Sequence, residues 1–279
     1  MRIIDSEILE KFRLYLNEKE QSKNTIEKYM RDIRHFVACA GTIEVKKSDV
    51  LDYKLGLCEK YSPKSVNSML SSLNAFFTFM EWHELKVKTL KIQRQLFTDT
   101  TKELTKAEYE KLLITAKNNK KEKLYYLIQT IASTGLRVSE IKYVTCEAVK
   151  RGRITINCKG KIRQVLLPKK LCKILTVYTK AQDIKKGSVF VSRNGKPLDR
   201  SNIWKMLKNL CESAGVSKEK VFPHNFRHLF ARTYYSLQKD IVRLADILGH
   251  SSVETTRLYT MESGTEHRKQ LQKLGLLRC

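Results

Sequence analysis

The spacing of apolar residues constrains this fold most, because its period changes twice along the chain. From Ile3 to about Leu85, apolar residues recur in steps of three and four, which predicts a bundle of amphipathic helices. After Val149 the period becomes two in the segments RITIN and IRQVLLP, which predicts a β-hairpin with Lys159 at its tip. The helical period returns from Asp199 onward. We therefore predict a mainly α-helical fold with a small antiparallel β-sheet.

A polar, basic stretch without helical period separates two predicted domains. Residues 1–85 are expected to form a helical domain, residues 86–103 a linker, and residues 104–279 a second domain with a C-terminal tail. A chain of 279 residues is long for one hydrophobic core and sufficient for two. The second domain opens with the capping-box sequence TKAE at Thr105, and Gly135 is expected to end an apolar helix.

Two further segments carry turn and capping signals. SVFVSRNGKPL alternates around Asn194-Gly195, which predicts a second β-hairpin. In LGHSSVETTRLYT, a capping box from Ser251 to Glu254 predicts a short helix that ends at Tyr259. Such helices commonly bury a tyrosine ring, so this tyrosine is interpreted either as a packed ring or as a reactive group.

The charge of the chain indicates a polyanionic partner. Lysine and arginine total 54 against 29 acidic residues, a formal charge of +25, and they interleave with the helical pattern along the whole chain. The charge therefore belongs to folded surfaces, and nucleic acid is the expected partner, with an alkaline protein of ribosomal type as the alternative. A membrane surface fits less well, because no helix opposes a lysine-rich face to large apolar residues.

The cysteines and the first residues indicate an intracellular protein. The seven cysteines include no Cys-x-x-Cys pair, which is typical of reduced thiols in the cytosol. The start, MRIIDSEILE, carries acids where a signal peptide would be apolar, and no window is apolar enough to span a membrane. We expect a cytoplasmic protein without membrane association.

The sequence lacks the residue patterns that several classes of catalysis and cofactor binding require. Acidic residues are dispersed among lysines rather than clustered as in metal nucleases, and no histidine or cysteine group has zinc spacing. Neither the phosphate-binding nor the dinucleotide-binding glycine motif occurs. We expect no metal and no cofactor, and a reaction on phosphate that uses side chains alone.

Six residues remain as candidates for that reaction. His224 and Arg227 in PHNFRH lie one helical turn apart and could reach one anionic group together. Each candidate also has a simpler interpretation: Arg137 could hold a helix-terminal carbonyl or Glu140, and a lysine at a hairpin tip is usually a solvated charge. The candidates are Arg137, Lys159, His224, Arg227, His250 and Tyr259.

The order of these motifs closely resembles the tyrosine recombinase family, of phage integrase or Xer type. The matching motifs are TGLRVSE, CKGK before a second strand, PHNFRH, LGHSS and the final LYT. Residues from about 3 to 85 also resemble the family's helical core-binding domain. Two departures, Phe226 for leucine and Cys158 for glycine, remove no reactive group. Because no room is left for an additional arm-binding domain, we expect a compact Xer-like or mobile-element recombinase.

The resemblance implies a role for each group. Arg137 and Arg227 would bind the scissile DNA phosphate, since arginine can bond two oxygens at once and stays charged. His250 would add a hydrogen bond to the same phosphate. Tyr259 would attack the phosphorus and form a 3′-phosphotyrosine, with no need for ATP or metal.

Proton transfer would involve two further residues. His224 would accept the proton of the attacking tyrosine or position it, and Lys159 would protonate the departing 5′-oxygen. Glu140 would orient part of the site without touching DNA, with an ion pair to a neighbour as an equal alternative. His228 and His35 are interpreted as structural.

The resemblance also implies partners. These are double-stranded DNA recombination sites clamped by both domains, a homotetramer for exchange between duplexes, and an accessory or partner recombinase. The tail GTEHRKQLQKLGLLRC would pack on a neighbouring subunit. Two alternatives stay open: a type IB topoisomerase-like enzyme, and a DNA-binding protein that keeps the fold without catalysis.

Overall fold

The fold is mainly α-helical with one two-stranded antiparallel sheet, so the predicted fold class is confirmed. The chain divides into two compact units, Met1–Arg94 (unit 1) and Gln95–Cys279 (unit 2). The computed structural model of the protein describes residues 2–41, 44–92, 100–158, 161–250, 252–259 and 272–273.

Unit 1 is a helical bundle whose helices pack their apolar faces together in one core. Ser22 caps the second helix by accepting from the amide of Thr25, and Gly41 ends that helix at φ 59°, both as predicted. Inward-facing Phe12, Ile33 and Phe76 are fully buried. The helices are α1 (Ser6–Glu18), α2 (Lys23–Ala40), α3 (Lys47–Lys60) and α4 (Pro63–Phe79).

The first residues of the predicted linker are bound to unit 1. The side chain of Asn74 donates to the carbonyl of Val87 at 2.8 Å and accepts from its amide at 3.0 Å. Asn67 holds Leu90 in the same way, at 2.9 and 2.7 Å. Unit 1 therefore extends beyond position 85. Residues 93–99 lie outside the described residues, so the linker itself stays a prediction.

Unit 2 combines helices with the sheet. The capping box at Thr105 and the stop at Gly135, with φ 65°, are confirmed. In the hairpin, Ile154 lies opposite Val165 and Ile156 opposite Arg163. The elements are α5 (Lys106–Asn118), α6 (Glu122–Thr134), α7 (Cys146–Arg151), β1 (Arg153–Cys158), β2 (Lys161–Leu166), α8 (Lys169–Ala181), α9 (Arg200–Ala214), α10 (Pro223–Gln238), α11 (Ile241–Leu248) and α12 (Val253–Arg257).

The predicted second hairpin is wrong. The segment SVFVSRNGKPL contains no strand; one isolated bridge lies within it, between Val191 and Pro197, and a second joins its Ser188 to Thr145. The turn itself forms, with Gly195 at φ 70° and a bond of 2.7 Å from the amide of Ser192 to the carbonyl of Lys196. The pairing continues past Pro197 by one bond, from the amide of Leu198 to the carbonyl of Phe190 at 2.9 Å, and ends there because the next residue, Asp199, caps α9.

Two expectations about the whole chain can be compared with the described residues only. Among these residues, no helix is long and apolar enough to cross a membrane. The cysteines whose side chains are described there are all free thiols: Cys39, Cys58, Cys146, Cys172 and Cys211.

Candidate active site

Tyr259 follows α12 and lies in a small apolar pocket of unit 2. Only 5% of it is exposed, and it packs with Ala231, Leu244 and Leu248. The helix before it is capped by Ser252, which accepts from the amide of Glu254, whereas the predicted cap, Ser251, lies outside the described residues. The ring of Tyr259 is thus a packed ring, as the simpler interpretation holds.

Tyr259 is among the groups that raise the pKa of Arg227, against the larger lowering effect of burial, and so helps to keep that guanidinium charged. Arg227 is 1% exposed and donates to the carbonyls of Gly135 at 2.6 Å and Leu248 at 2.7 Å. Its Nε has no partner and is buried. Burial, and after it the charge of Arg137, lowers the pKa of Arg227 to about 10, so it remains a cation at neutral pH. A buried cation with a free donor is suited to bind an anion.

His250 links Arg227 to the helix that precedes Tyr259. Its Nε2 lies 2.8 Å from Nη2 of Arg227, and its Nδ1 lies 2.8 Å from Oγ1 of Thr256. Burial, and after it the charge of Arg227, lowers the pKa of His250 to about 4, so the ring is neutral at pH 7. Its plane lies 16° from that of Tyr259, with centroids 5.8 Å apart.

Arg137 is placed by the stop of α6. After Gly135 the chain becomes extended, and Arg137 precedes a 3₁₀ helix, Val138–Tyr143, in which the carboxylate of Glu140 accepts from the amide of Arg137 at 2.8 Å. Its Nη1 donates to Glu140 at 3.1 Å and its Nη2 to the carbonyl of Gly249 at 3.3 Å. The ion pair with Glu140 therefore exists, and it holds the guanidinium beside the loop that carries His250.

Arg163 of β2 is a residue of this site that the sequence interpretation missed. It donates to the buried carboxylate of Glu140 at 2.6 Å and to the carbonyl of Ile247 at 2.7 Å. One carboxylate thus holds two arginines, and the second arginine connects the hairpin to the end of α11. The alternation of the strand was a signal for it, because Arg163 lies two residues before buried Val165 and so shares its inward face. A charged residue at an inward position needs a partner.

His224 and His228 lie one turn apart on α10, with ring centroids 4.5 Å apart. His224 is exposed at the site, and reduced hydration followed by the charge of Arg227 lowers its pKa. The ring that contacts Tyr259 is that of His228, with centroids 4.6 Å apart, although we predicted it to be structural. His35 bonds the hydroxyl of Tyr53 at 2.9 Å within unit 1.

Lys159 lies outside the described residues. The strands on either side of it, β1 and β2, are described and pair in register from Arg153↔Leu166 to Cys158↔Lys161. Five of the six candidates, all except this lysine, are thus described, and they lie in one unit. In the described part of the chain, no three His, Cys, Asp or Glu side chains group as metal ligands.

Known proteins are similar to this chain in sequence and in fold. Tyrosine recombinase XerA of Pyrococcus furiosus is 29% identical over 99% of this chain and 96% of its own. Tyrosine recombinase XerD of Staphylococcus saprophyticus is 29% identical over 94% and 96%. A lambda integrase dimer bound to a COC' core site has a TM-score of 0.75 at 16% identity, covering 92% of this chain and 95% of that one. XerH site-specific recombinase bound to difH substrate has a TM-score of 0.68 at 20% identity, covering 96% and 85%.

Family patterns match both units. The pattern described as "Phage integrase, N-terminal SAM-like domain" matches residues 9–84. The pattern described as "Phage integrase family" matches residues 102–266, which include every candidate residue. The chain therefore belongs to the phage integrase family, whose members include the tyrosine recombinases.

Proposed function

We propose that this chain is a site-specific DNA recombinase, a DNA strand transferase in which Tyr259 is the nucleophile. The observation that carries the proposal is the convergence on one tyrosine of a buried arginine, Arg227, and a neutral histidine, His250. A structural tyrosine would not need a buried cation with an unpartnered donor beside its hydroxyl. XerA and XerD, which match nearly this whole chain, are named tyrosine recombinases.

Arg227 and Arg137 would bind the scissile phosphate. Charge collects on the phosphate oxygens during phosphoryl transfer, so cations that are already in place stabilise the transition state. Arg227 is fixed through two main-chain carbonyls, and its buried Nε has no hydrogen-bond partner. Arg137 is held by Glu140 at its other side and remains 41% exposed, so it can reach DNA.

The reaction would transfer two protons. The hydroxyl oxygen of Tyr259 would bond the phosphorus as the bond to the 5′-oxygen breaks, leaving a 3′-phosphotyrosine and a 5′-hydroxyl. His224, neutral because its pKa is lowered, would accept the tyrosine proton or position that group, and Lys159 would protonate the 5′-oxygen. His228 would hold the tyrosine ring.

The covalent link would make the reaction reversible without a cofactor. Because the phosphotyrosine keeps the energy of the broken phosphodiester, a 5′-hydroxyl from another cleaved strand can attack it and rejoin DNA. Neither ATP nor metal is required by this scheme. The same groups serve both directions, since the second step is the reverse of the first.

Recombination would require DNA sites and several subunits. Structures of similar fold include XerH bound to difH and a lambda integrase tetramer bound to a Holliday junction. We propose a homotetramer on double-stranded recombination sites, with an accessory or partner recombinase and a tail that packs on a neighbouring subunit. The protein would be cytoplasmic and associated with DNA, and its +25 charge would make binding strongly dependent on salt.

A suicide duplex tests the proposal. The duplex carries a candidate site and a nick that lets the 5′-hydroxyl product diffuse away, and the assay is a denaturing gel for a protein–DNA adduct. Wild type should form the adduct, and Tyr259→Phe should form none while it keeps DNA affinity and folding. An adduct that persists in Tyr259→Phe would mean that another residue is the nucleophile.

The same assay separates the two alternatives. An adduct together with relaxation of supercoiled DNA, but no exchange between two sites, would indicate a topoisomerase-like enzyme. Tight, salt-sensitive binding to the verified site without any adduct would indicate a DNA-binding protein that lacks catalysis.

A further inference from the structure

The imidazole of His250 is bonded at both nitrogens, and one partner, Thr256, has no part in the function proposed above. Oγ1 of Thr256 lies 2.8 Å from Nδ1, and Nη2 of Arg227 lies 2.8 Å from Nε2. A guanidinium only donates hydrogen bonds, so Nε2 must accept. The neutral ring then carries its proton on Nδ1 and donates it to the hydroxyl oxygen of Thr256.

Thr256 also contacts the segment that carries the tyrosine. It lies in α12, its side chain is completely buried, and its carbonyl accepts the amide of Tyr259 at 2.9 Å. One residue therefore contacts His250 through its side chain and Tyr259 through its main chain. A buried hydroxyl without a partner is unfavourable, so the bond to His250 also stabilises this arrangement.

We propose that Thr256 is a positioning residue whose hydroxyl holds the Nδ1–H of His250, so that Nε2 stays in place to accept from Arg227. The tautomer follows from the bonds alone, whereas its effect on cleavage rests on the proposed function. If the hydroxyl were removed, Nδ1–H would be left buried without an acceptor while Arg227 still excludes the other tautomer, so the ring would be free to turn away from the guanidinium. The guanidinium would then lose one of its three partners beside the tyrosine.

A packing role alone makes a different prediction, and the chain offers matched variants. Thr256→Val keeps the shape of the buried side chain and removes the hydroxyl. Thr256→Ser keeps the hydroxyl and removes a methyl group. Thr255→Val makes the same change as the first variant at the preceding, exposed position of α12. If Thr256 only fills space, the serine variant should be the defective one.

The tautomer is read by nitrogen NMR at neutral pH on protein labelled with ¹⁵N-histidine, with the His250 signals assigned from their loss in His250→Gln. Wild type, Thr256→Ser and Thr255→Val should carry on Nδ1 a proton that exchanges slowly with water, and in Thr256→Val that proton should exchange faster. A wild-type His250 with its proton on Nε2 overturns the proposal, and this reading needs no variant to fold.

Cleavage is measured separately as the single-turnover rate of adduct formation at saturating suicide duplex. Thr256→Val should be slower by about 5- to 10-fold, as expected for one lost hydrogen bond, with DNA affinity within about twofold. Thr256→Ser and Thr255→Val should stay within about twofold of wild type. Thr256→Val at the wild-type rate overturns the proposal. Absence of any wild-type adduct, with the expected tautomers intact, overturns the proposed function and leaves the assignment of Thr256 standing.

Discussion

The ring of His228 packs edge-on against the ring of Tyr259, with centroids 4.6 Å apart and planes 74° apart. His224 contacts the same histidine at 4.5 Å. Burial, and after it the charge of His224, lowers the pKa of His228 to about 4, so the ring is neutral at pH 7. A neutral edge-to-face contact orients Tyr259 without adding charge beside it.

Two lowered histidine pKa values predict that unit 2 loses stability in mild acid. His228 and His250 have pKa values of about 4 against an ordinary 6.5. Between these values the unfolded chain binds protons that the folded chain does not, so this stability is complete above pH 6.5 and declines as pH falls towards 4. We expect a loss on the order of 2 kcal/mol from pH 7 to pH 5, allowing for their partial exposure.

Urea unfolding at the two pH values measures this loss. The two tryptophans lie in different units, so Trp82→Phe leaves Trp204 in α9 as a fluorescent probe of unit 2. Introducing His228→Gln and His250→Gln into the Trp82→Phe variant should remove most of the difference in unfolding free energy between pH 7 and pH 5. An unchanged pH dependence in the double variant would show that carboxylates, not these histidines, cause it.

Gly249→Ala should impair both folding and cleavage. Gly249 has φ 63°, and a methyl group there would lie 2.7 Å from Nε of Arg163, whose guanidinium is held by Glu140 and the carbonyl of Ile247. Gly215→Ala is the matched control, with φ 61° and nothing within 4 Å. The control should cost about 1 kcal/mol and Gly249→Ala about 1–2 kcal/mol more, measured by denaturant unfolding. Equal losses, with equal adduct rates, would contradict the role of this contact.

Glu140→Gln should slow cleavage in addition to destabilising the fold. The amide keeps the shape of the side chain but removes the charge that holds Arg137 and Arg163, and we expect a loss of about 2 kcal/mol and at least about 10-fold in adduct rate. Glu108→Gln, which breaks an ion pair with Lys220 at 2.9 Å elsewhere in unit 2, should destabilise the fold and leave the rate unchanged. Similar rates of adduct formation for both variants would show that Glu140 does not contribute to cleavage.

Arg227→Lys should abolish most adduct formation although the charge is kept. A lysine cannot donate to Gly135, Leu248 and a phosphate in the same fixed geometry. We expect a loss of about 100-fold or more in single-turnover rate, with DNA affinity changed little. Arg243→Lys, an exposed position of α11, is the control. A rate near wild type would mean that charge alone is needed at position 227.

Much of the local structure was predictable from the sequence because its signals are local. Ser22, Thr105 and Gly135 act on amides and carbonyls within four residues, so their caps and stops appear as predicted. Alternation likewise predicted the hairpin of β1 and β2. It misled at Asn194-Gly195, where the turn formed but the pairing stopped at Leu198, before the cap of α9.

The family was also predictable, because its motifs occur in a fixed order along the chain, and the five described candidate residues of those motifs lie in one unit. What only the tertiary structure decided is which groups contact them. Arg163 binds a carbonyl 84 residues away, and Arg227 binds carbonyls 92 and 21 residues away. Every residue offers such a carbonyl, so no side-chain pattern marks the chosen ones. His228 and Thr256 became neighbours of Tyr259 and His250 for the same reason: the packing of α10, α11 and α12 brings them together.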